Sequence, residues 1–231
     1  MDGDVMDEGG TYHGLLSGDA TFLDDDTPFT YVGNMALRLD GDGDRVMIAD
    51  TAALRPETKA WTMSLWFKTS VGNRYSGLIT KRKTVNPYTQ MSLMMGGDQA
   101  GNPGTGGKLH TFVIGTQGST ERWEVSTRAD YADSEWHHAA LVRPSGEKSP
   151  VLFVDGVMTA VLVNTDRGLR PHDVNCTEPW LIGSSNASSP FQGLIDEVAM
   201  WNTALTAAEI AWLSQNSIDF FFPRGTMITV R

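Results

Sequence analysis

The 231 residues contain a single cysteine, Cys176, so no internal disulfide can brace the fold and stability has to come from a core, with or without a bound ion. No apolar run is long enough to cross a bilayer, which argues against insertion into a membrane as a helix. Positive charge is scarce. Eighteen Lys and Arg stand against 28 Asp and Glu, giving a net charge of -10 and a pI near 4.8. Such a field repels phosphate backbones and anionic lipid headgroups, so nucleic acid is not an expected partner. The start, Met1 to Gly10, is acidic and glycine-rich. It lacks the basic-then-apolar order of a secretory signal, so export by that route is not expected.

What is present is a globular balance, 40% hydrophobic and 20% charged, with 24 glycines to make turns. The length suits one two-sheet domain and leaves no room for a second catalytic one. Short runs dominate from Met35 onward. Trp61 to Thr69 alternates cleanly, with Trp61, Met63, Leu65 and Phe67 on one face and Thr62, Ser64 and Lys68 on the other. Trp66 is the exception on the outer face. Further strands are predicted at Ala36 to Leu39, Val46 to Ile48, Leu78 to Lys81, Thr89 to Met95, Leu109 to Gly115, Arg122 to Thr127, Trp136 to Arg143, Trp180 to Ile182 and Leu194 to Trp201. Val151 to Val154 and Val157 to Val163 flank Asp155-Gly156 and read as a two-residue hairpin. One helix is predicted over Ala207 to Ser214, because Thr206 and Glu209 make a capping box and Leu205 with Ile210 a hydrophobic staple. The expected organisation is one domain: an acidic, glycine-rich edge segment over 1–30, a sandwich over 31–215, and a tail over 216–231 that packs on the domain or on a partner.

The ordered motifs Ala36-Leu37-Arg38-Leu39-Asp40-Gly41, Trp61-Thr62-Met63-Ser64-Leu65-Trp66-Phe67-Lys68, Trp136-His137-His138-Ala139-Ala140-Leu141-Val142, Leu152-Phe153-Val154-Asp155-Gly156 and Gly193-Leu194-Ile195-Asp196-Glu197-Val198-Ala199-Met200-Trp201 together resemble the laminin-G-like, concanavalin A-like superfamily. The resemblance runs from about Leu15 to Leu213. It implies an all-β fold: two antiparallel sheets packed face to face as a jelly-roll sandwich, closed by one short C-terminal helix. It also implies a structural calcium ion between an N-terminal loop and a strand carboxylate. Asp196 matches the strand position, and Asp7, Gly10 and His13 are the loop candidates. Fold alone does not assign function.

Other chemistries find little support. Asp40, Asp42 and Asp44 begin like an EF-hand loop, but Arg45 and Thr51 occupy the places that require Gly and Glu. A hairpin turn is the better account. His137 and His138 are neighbours on a strand, so they face opposite sides and cannot share one metal ion. The alternating carboxylates of glycosidases resembling laminarinases are absent, and Asp196 and Glu197 are adjacent rather than alternate, so no enzyme is expected. Sugar recognition uses exposed aromatics that stack on pyranose faces beside polar groups that bind hydroxyls. Tyr75, Tyr88 and Trp123, with Asn73 and Arg74, are the ligand-binding candidates. The expectation is a non-catalytic, lectin-like attachment module that contacts a glycan or a protein surface, as an oligomer or bound to a scaffold. A decoration or structural protein on a virion surface is one setting. A free-standing carbohydrate-binding or adhesion domain at a cell surface is the other.

Overall fold

The computed structural model describes residues 5, 11–31, 33–72, 75–85, 88–96, 107–116, 121–145, 150–159, 161–166, 173–185, 189–218 and 226–230. The strands in chain order are β1 (Gly14–Ser17), β2 (Thr21–Leu23), β3 (Ala36–Asp40), β4 (Arg45–Ile48), β5 (Trp61–Lys68), β6 (Ser76–Lys83), β7 (Thr89–Met95) and β8 (Leu109–Ile114). They continue as β9 (Arg122–Thr127), β10 (Trp136–Arg143), β11 (Val151–Val154), β12 (Val157–Met158), β13 (Val161–Asp166), β14 (Trp180–Ile182), β15 (Gln192–Trp201) and β16 (Thr226–Val230), with one helix, α1 (Ala207–Leu213), before the last.

The strands form two antiparallel sheets. Sheet A runs β1-β4-β14-β6-β7-β8-β9-β13, and sheet B runs β12-β11-β10-β5-β15-β3-β2. The ten-residue β15 meets β3 along its first half and β16 along its second. The expected jelly-roll sandwich is therefore present, and β1 and β2 carry the N-terminal segment onto the edges of the two sheets. Cys176 is a buried free thiol.

Alternation on the strands decides what faces what. Trp61, Met63, Leu65 and Phe67 of β5 turn into the space between the sheets, where they meet Ile79, Met91, Leu93, Val113 and Val125 of sheet A. The opposite faces of β10 and β15 turn Ala140, Val142, Ala199 and Trp201 outward. There α1 covers them with Ile210 and Leu213 in a second apolar cluster. The predicted capping box is formed in full, with the Thr206 hydroxyl accepting from the Glu209 N–H and the Glu209 carboxylate accepting from the Thr206 N–H. Trp66, the outward exception on β5, is shielded by Phe29 (ring centroids 5.2 Å, edge-on) and His138 (5.5 Å).

Two sequence expectations change in the C-terminal half. Val157 to Val163 is not one strand: β12 pairs with β11 in sheet B, whereas β13 pairs with β9 in sheet A. Asp155 and Gly156 do form the tight turn, with φ of 50° and 78°, as a two-residue hairpin requires. The chain then leaves one layer for the other, a step that alternation along a sequence does not record. The second change is β16, which falls in the segment read as a tail and adds a strand to β15. Phe220, Phe221 and Phe222 lie outside the described residues.

Candidate functional site

The outer face of sheet A has no helix packed on it among the described residues, and its composition differs from that of sheet B. Register places Arg82 opposite Gln90, Gln90 opposite Ile114 and Ile114 opposite Arg122, so one row crosses four strands from β6 to β9. The next row on the same face is Thr80, Ser92, Phe112 and Glu124. His110 and Ser126 are paired two residues further on.

A pocket of about 480 Å³ opens over this face, lined by Tyr75, Tyr88, Phe112, Gln90 and Ser185 among others. That volume lies within the range of small-molecule sites, roughly 300–1,000 Å³. Its wall depends on a close backbone approach at Gly77, where an added Cβ would lie 2.3 Å from the Ser184 carbonyl carbon. The Thr80 hydroxyl donates to the Ser184 carbonyl at 2.8 Å and the Gly77 N–H to that of Ser189 at 3.2 Å. These contacts hold the loop carrying Ser185 and Ser189 against β6.

The floor is a connected set of polar and aromatic groups. His110 Nε2 lies 3.1 Å from Glu124 Oε1, and Arg122 forms an ion pair with the other carboxylate oxygen. Burial would raise the Glu124 pKa, but the His110 hydrogen bond and the Arg122 charge outweigh it and hold the carboxyl below its usual range. The Arg122 guanidinium also lies over the Phe112 ring, 5.1 Å from its centroid, a cation–π arrangement. His110 stacks against Phe112 at 4.4 Å, and Tyr75 meets His110 edge-on at 5.4 Å. Gln90 is fixed by donating from Nε2 to Ser92 Oγ at 2.8 Å. Tyr88 lines the pocket and is 48% exposed at the rim. The site offers flat aromatic surface, anchored polar side chains and cations in one depression.

A family model of the concanavalin A-like lectin/glucanases superfamily matches residues 40–211. The chain belongs to that superfamily. Among curated proteins, none matches this sequence significantly. Among solved structures, domain 4 of AbnA, a GH43 extracellular arabinanase from Geobacillus stearothermophilus solved in complex with arabinotriose, is similar with a TM-score of 0.68. It is 21% identical, and the match covers 92% of this chain and 93% of that one. The binding domain of Paraclostridial Mosquitocidal Protein 1 matches with a TM-score of 0.64 at 13% identity, over 89% of this chain and 48% of that one. A heptameric SAP-like pentraxin from Limulus polyphemus matches with a TM-score of 0.53 at 14% identity, over 83% of this chain and 89% of that one. At these identities the likeness is one of fold, and the neighbours are binding domains and a pentraxin oligomer.

Tyr75 and Tyr88 line the pocket, while Asn73 and Arg74 lie outside the described residues. Trp123 is corrected: it is 5% exposed and packs in the central core, because alternation on β9 turns its neighbours Arg122 and Glu124 outward instead. Of the calcium candidates, Asp7 and Gly10 lie outside the described residues, and His13 is exposed ahead of β1. Asp196 is buried in sheet B, where Oδ1 accepts the Glu197 N–H at 2.7 Å.

The carboxylates that do converge among the described residues are Asp19, Asp40 and Asp44, with ligand atoms within 4.8 Å of one another. Asp44 accepts from the Asp19 N–H at 2.9 Å and from the Asp40 N–H at 3.1 Å, and Asp40 accepts from the Asp42 N–H at 2.7 Å. The cluster thus braces the turn between β3 and β4, which is not the hairpin expected of these aspartates, because β3 belongs to sheet B and β4 to sheet A and the turn carries the chain from one layer to the other. Each oxygen keeps a further lone pair, and three carboxylates are donors of the kind a hard cation takes.

His137 and His138 do point to opposite faces. His137 is held between Asp155 Oδ2 at 2.9 Å and Asp133 Oδ1 at 3.1 Å. The Asp155 hydrogen bond raises its pKa despite partial burial. His138 lies on the covered side, where burial lowers its pKa to about 4. Sequence reasoning missed Arg82, Gln90, His110, Phe112, Arg122 and Glu124. The available signal was the polar half of the alternation on strands already predicted.

Proposed function

We propose that this chain is a non-catalytic, lectin-like attachment module that holds a glycan against the outer face of β6 to β9. The observation carrying this reading is the pocket itself, where Tyr88 stands exposed at the rim, Phe112 packs beneath Arg122, and Gln90, Ser185 and Arg122 supply hydrogen-bonding groups within one depression. Aromatic platforms flanked by fixed polar groups suit the apolar faces and hydroxyls of a sugar. The AbnA domain, which has a similar fold, was solved in complex with arabinotriose. A binding role rather than hydrolysis is supported by Glu124, whose carboxylate is engaged by His110 and Arg122 and kept acidic. A general acid needs the opposite shift. A structural calcium at Asp19, Asp40 and Asp44 is a finer part of the same reading.

The test is a glycan array with the full chain, followed by calorimetry with arabinotriose and with each array hit. Binding that is lost in Tyr88→Ala and Phe112→Ala, with no release of reducing sugar, is the expected result. No retention by any glycan sinks the reading. For calcium, a melting temperature unchanged by the ion and by a chelator removes it.

A second reading, a subunit of a larger surface assembly such as a virion, draws support from apolar residues on strand edges. Leu15 of β1 is 63% exposed, and Val157 and Met158 of β12 are 68% and 66% exposed. Exposed edges of this kind are pairing surfaces. Mass photometry decides it: a monomer at all concentrations counts against an assembly.

A further inference from the structure

We propose that the pocket selects acidic glycans, binding a sugar through a carboxylate or sulfate group. This rests on the glycan-binding reading and adds the chemical class of the ligand. The chain as a whole is strongly acidic, with 18 basic and 28 acidic residues. The pocket reverses that balance: of its eleven lining residues, Arg82, Lys83 and Arg122 are cationic and none is acidic. The one adjoining carboxylate, Glu124, is already engaged by Arg122 and His110.

Three half-buried cations elsewhere are matched by carboxylates. Lys68 pairs with Asp26, Lys108 with Asp130 and Arg55 with Asp50. Among the described residues Arg82 and Lys83, also half-buried, form no ion pair. A cation drawn partly out of water without a partner is unfavourable, and an anionic ligand group offsets that cost.

Position adds to charge. Arg82 and Arg122 stand at the two ends of one row, separated by β7 and β8, so their backbones lie roughly 14 Å apart at the usual strand spacing. Between them sit Gln90 and Ile114 in that row, with Phe112 in the next. A sugar lying along the row meets Gln90 and Ile114 centrally and, at the β6 end, the Arg82 guanidinium and Lys83 ammonium, whereas Arg122 at the far end is already paired with Glu124. Guanidinium groups bind carboxylates and sulfates through paired hydrogen bonds. The long-range field of the protein repels such ligands, so binding has to come from these local contacts and not from general attraction.

The experiment is calorimetry on the full chain with matched probes: heparin hexasaccharide against its desulfated form, oligogalacturonate against its methyl ester, and arabinotriose as a neutral sugar. An acidic form binding about tenfold tighter than its neutral counterpart is expected. That advantage should shrink as salt rises from about 50 to about 300 mM. It should also vanish in Arg82→Ser/Lys83→Ser, where the acidic form falls to the affinity of its neutral counterpart while the melting temperature stays unchanged. Which acidic probe wins distinguishes sulfate from carboxylate.

Neutral forms binding as tightly as acidic ones, or a double variant that keeps the preference, overturns charge selection and leaves glycan binding standing. Failure of every saccharide, acidic or neutral, overturns both. Preference for an oligothymidylate control over all saccharides also overturns both, in favour of a nucleic-acid ligand.

Discussion

The two sheets share one core, yet their outer faces are opposites. Sheet B is roofed by α1 over Ala140, Val142, Ala199 and Trp201, and the histidine on that side, His138, is fully buried with its pKa lowered to about 4. Sheet A carries a histidine on its outer face too, but His110 is hydrogen-bonded to Glu124 and stacked on Phe112 beside a pocket. One face is finished by the chain's own helix. The other presents uncapped polar and aromatic groups around an open pocket. The difference teaches that the proposed ligand site lies where the domain has not covered itself.

The strongest way to break the comparison is to loosen the roof. Ile210 has no exposure, so Ile210→Ala should cost about 2–5 kcal/mol in urea unfolding, with glycan binding by the surviving folded protein unchanged. Loss of binding at matched folded fraction would show that the two faces are coupled.

Acid attacks the same face through His138. Its pKa is about 4 when folded and about 6.5 when unfolded, so the unfolded chain takes up the proton first. Stability is complete above about pH 6.5 and falls by about 2 kcal/mol between pH 7 and pH 5. His137 runs the other way: its pKa is raised by Asp155, so its contribution is present below its unfolded value and disappears as pH climbs through the folded one. Urea melts across this range should therefore show a steeper acid loss in His137→Gln than in the parent chain.

On the open face, Gly77→Ala places a Cβ against the Ser184 backbone. It should cost about 1–3 kcal/mol and weaken glycan binding together with stability, since the Ser185 wall has to move. The smallest stability effect belongs to Tyr88→Ala at the rim, within about 0.5 kcal/mol but with most of the glycan affinity gone. A Tyr88 variant that binds normally would place the sugar elsewhere on the face.

Much of the architecture was legible before any coordinates. β5, β7, β9, β10 and β14 follow alternation or buried apolar runs that mark themselves, and α1 announces its start through Thr206 and Glu209. The β11–β12 turn was equally plain at Asp155-Gly156, but β13 changes sheets after it, and a switch of layer leaves no trace in periodicity. β16 was missed because its partner β15 is distant in sequence, so nothing local records the pairing. Tyr75 and Tyr88 were reached as aromatics near loops. Trp123 was misplaced because a residue near a strand end could turn either way until its register was known.

Local chemistry alone settled the fold class, because side chains on a strand alternate whatever the strand packs against, and turn and cap residues act within a few positions. The site was a tertiary decision. Arg82, Gln90, Ile114 and Arg122 are separated by long stretches of chain, and only the register of four strands sets them in one row. Likewise, only the docking of α1 on the opposite sheet decided which outer face would remain open, since an amphipathic helix carries no label for the sheet it will cover.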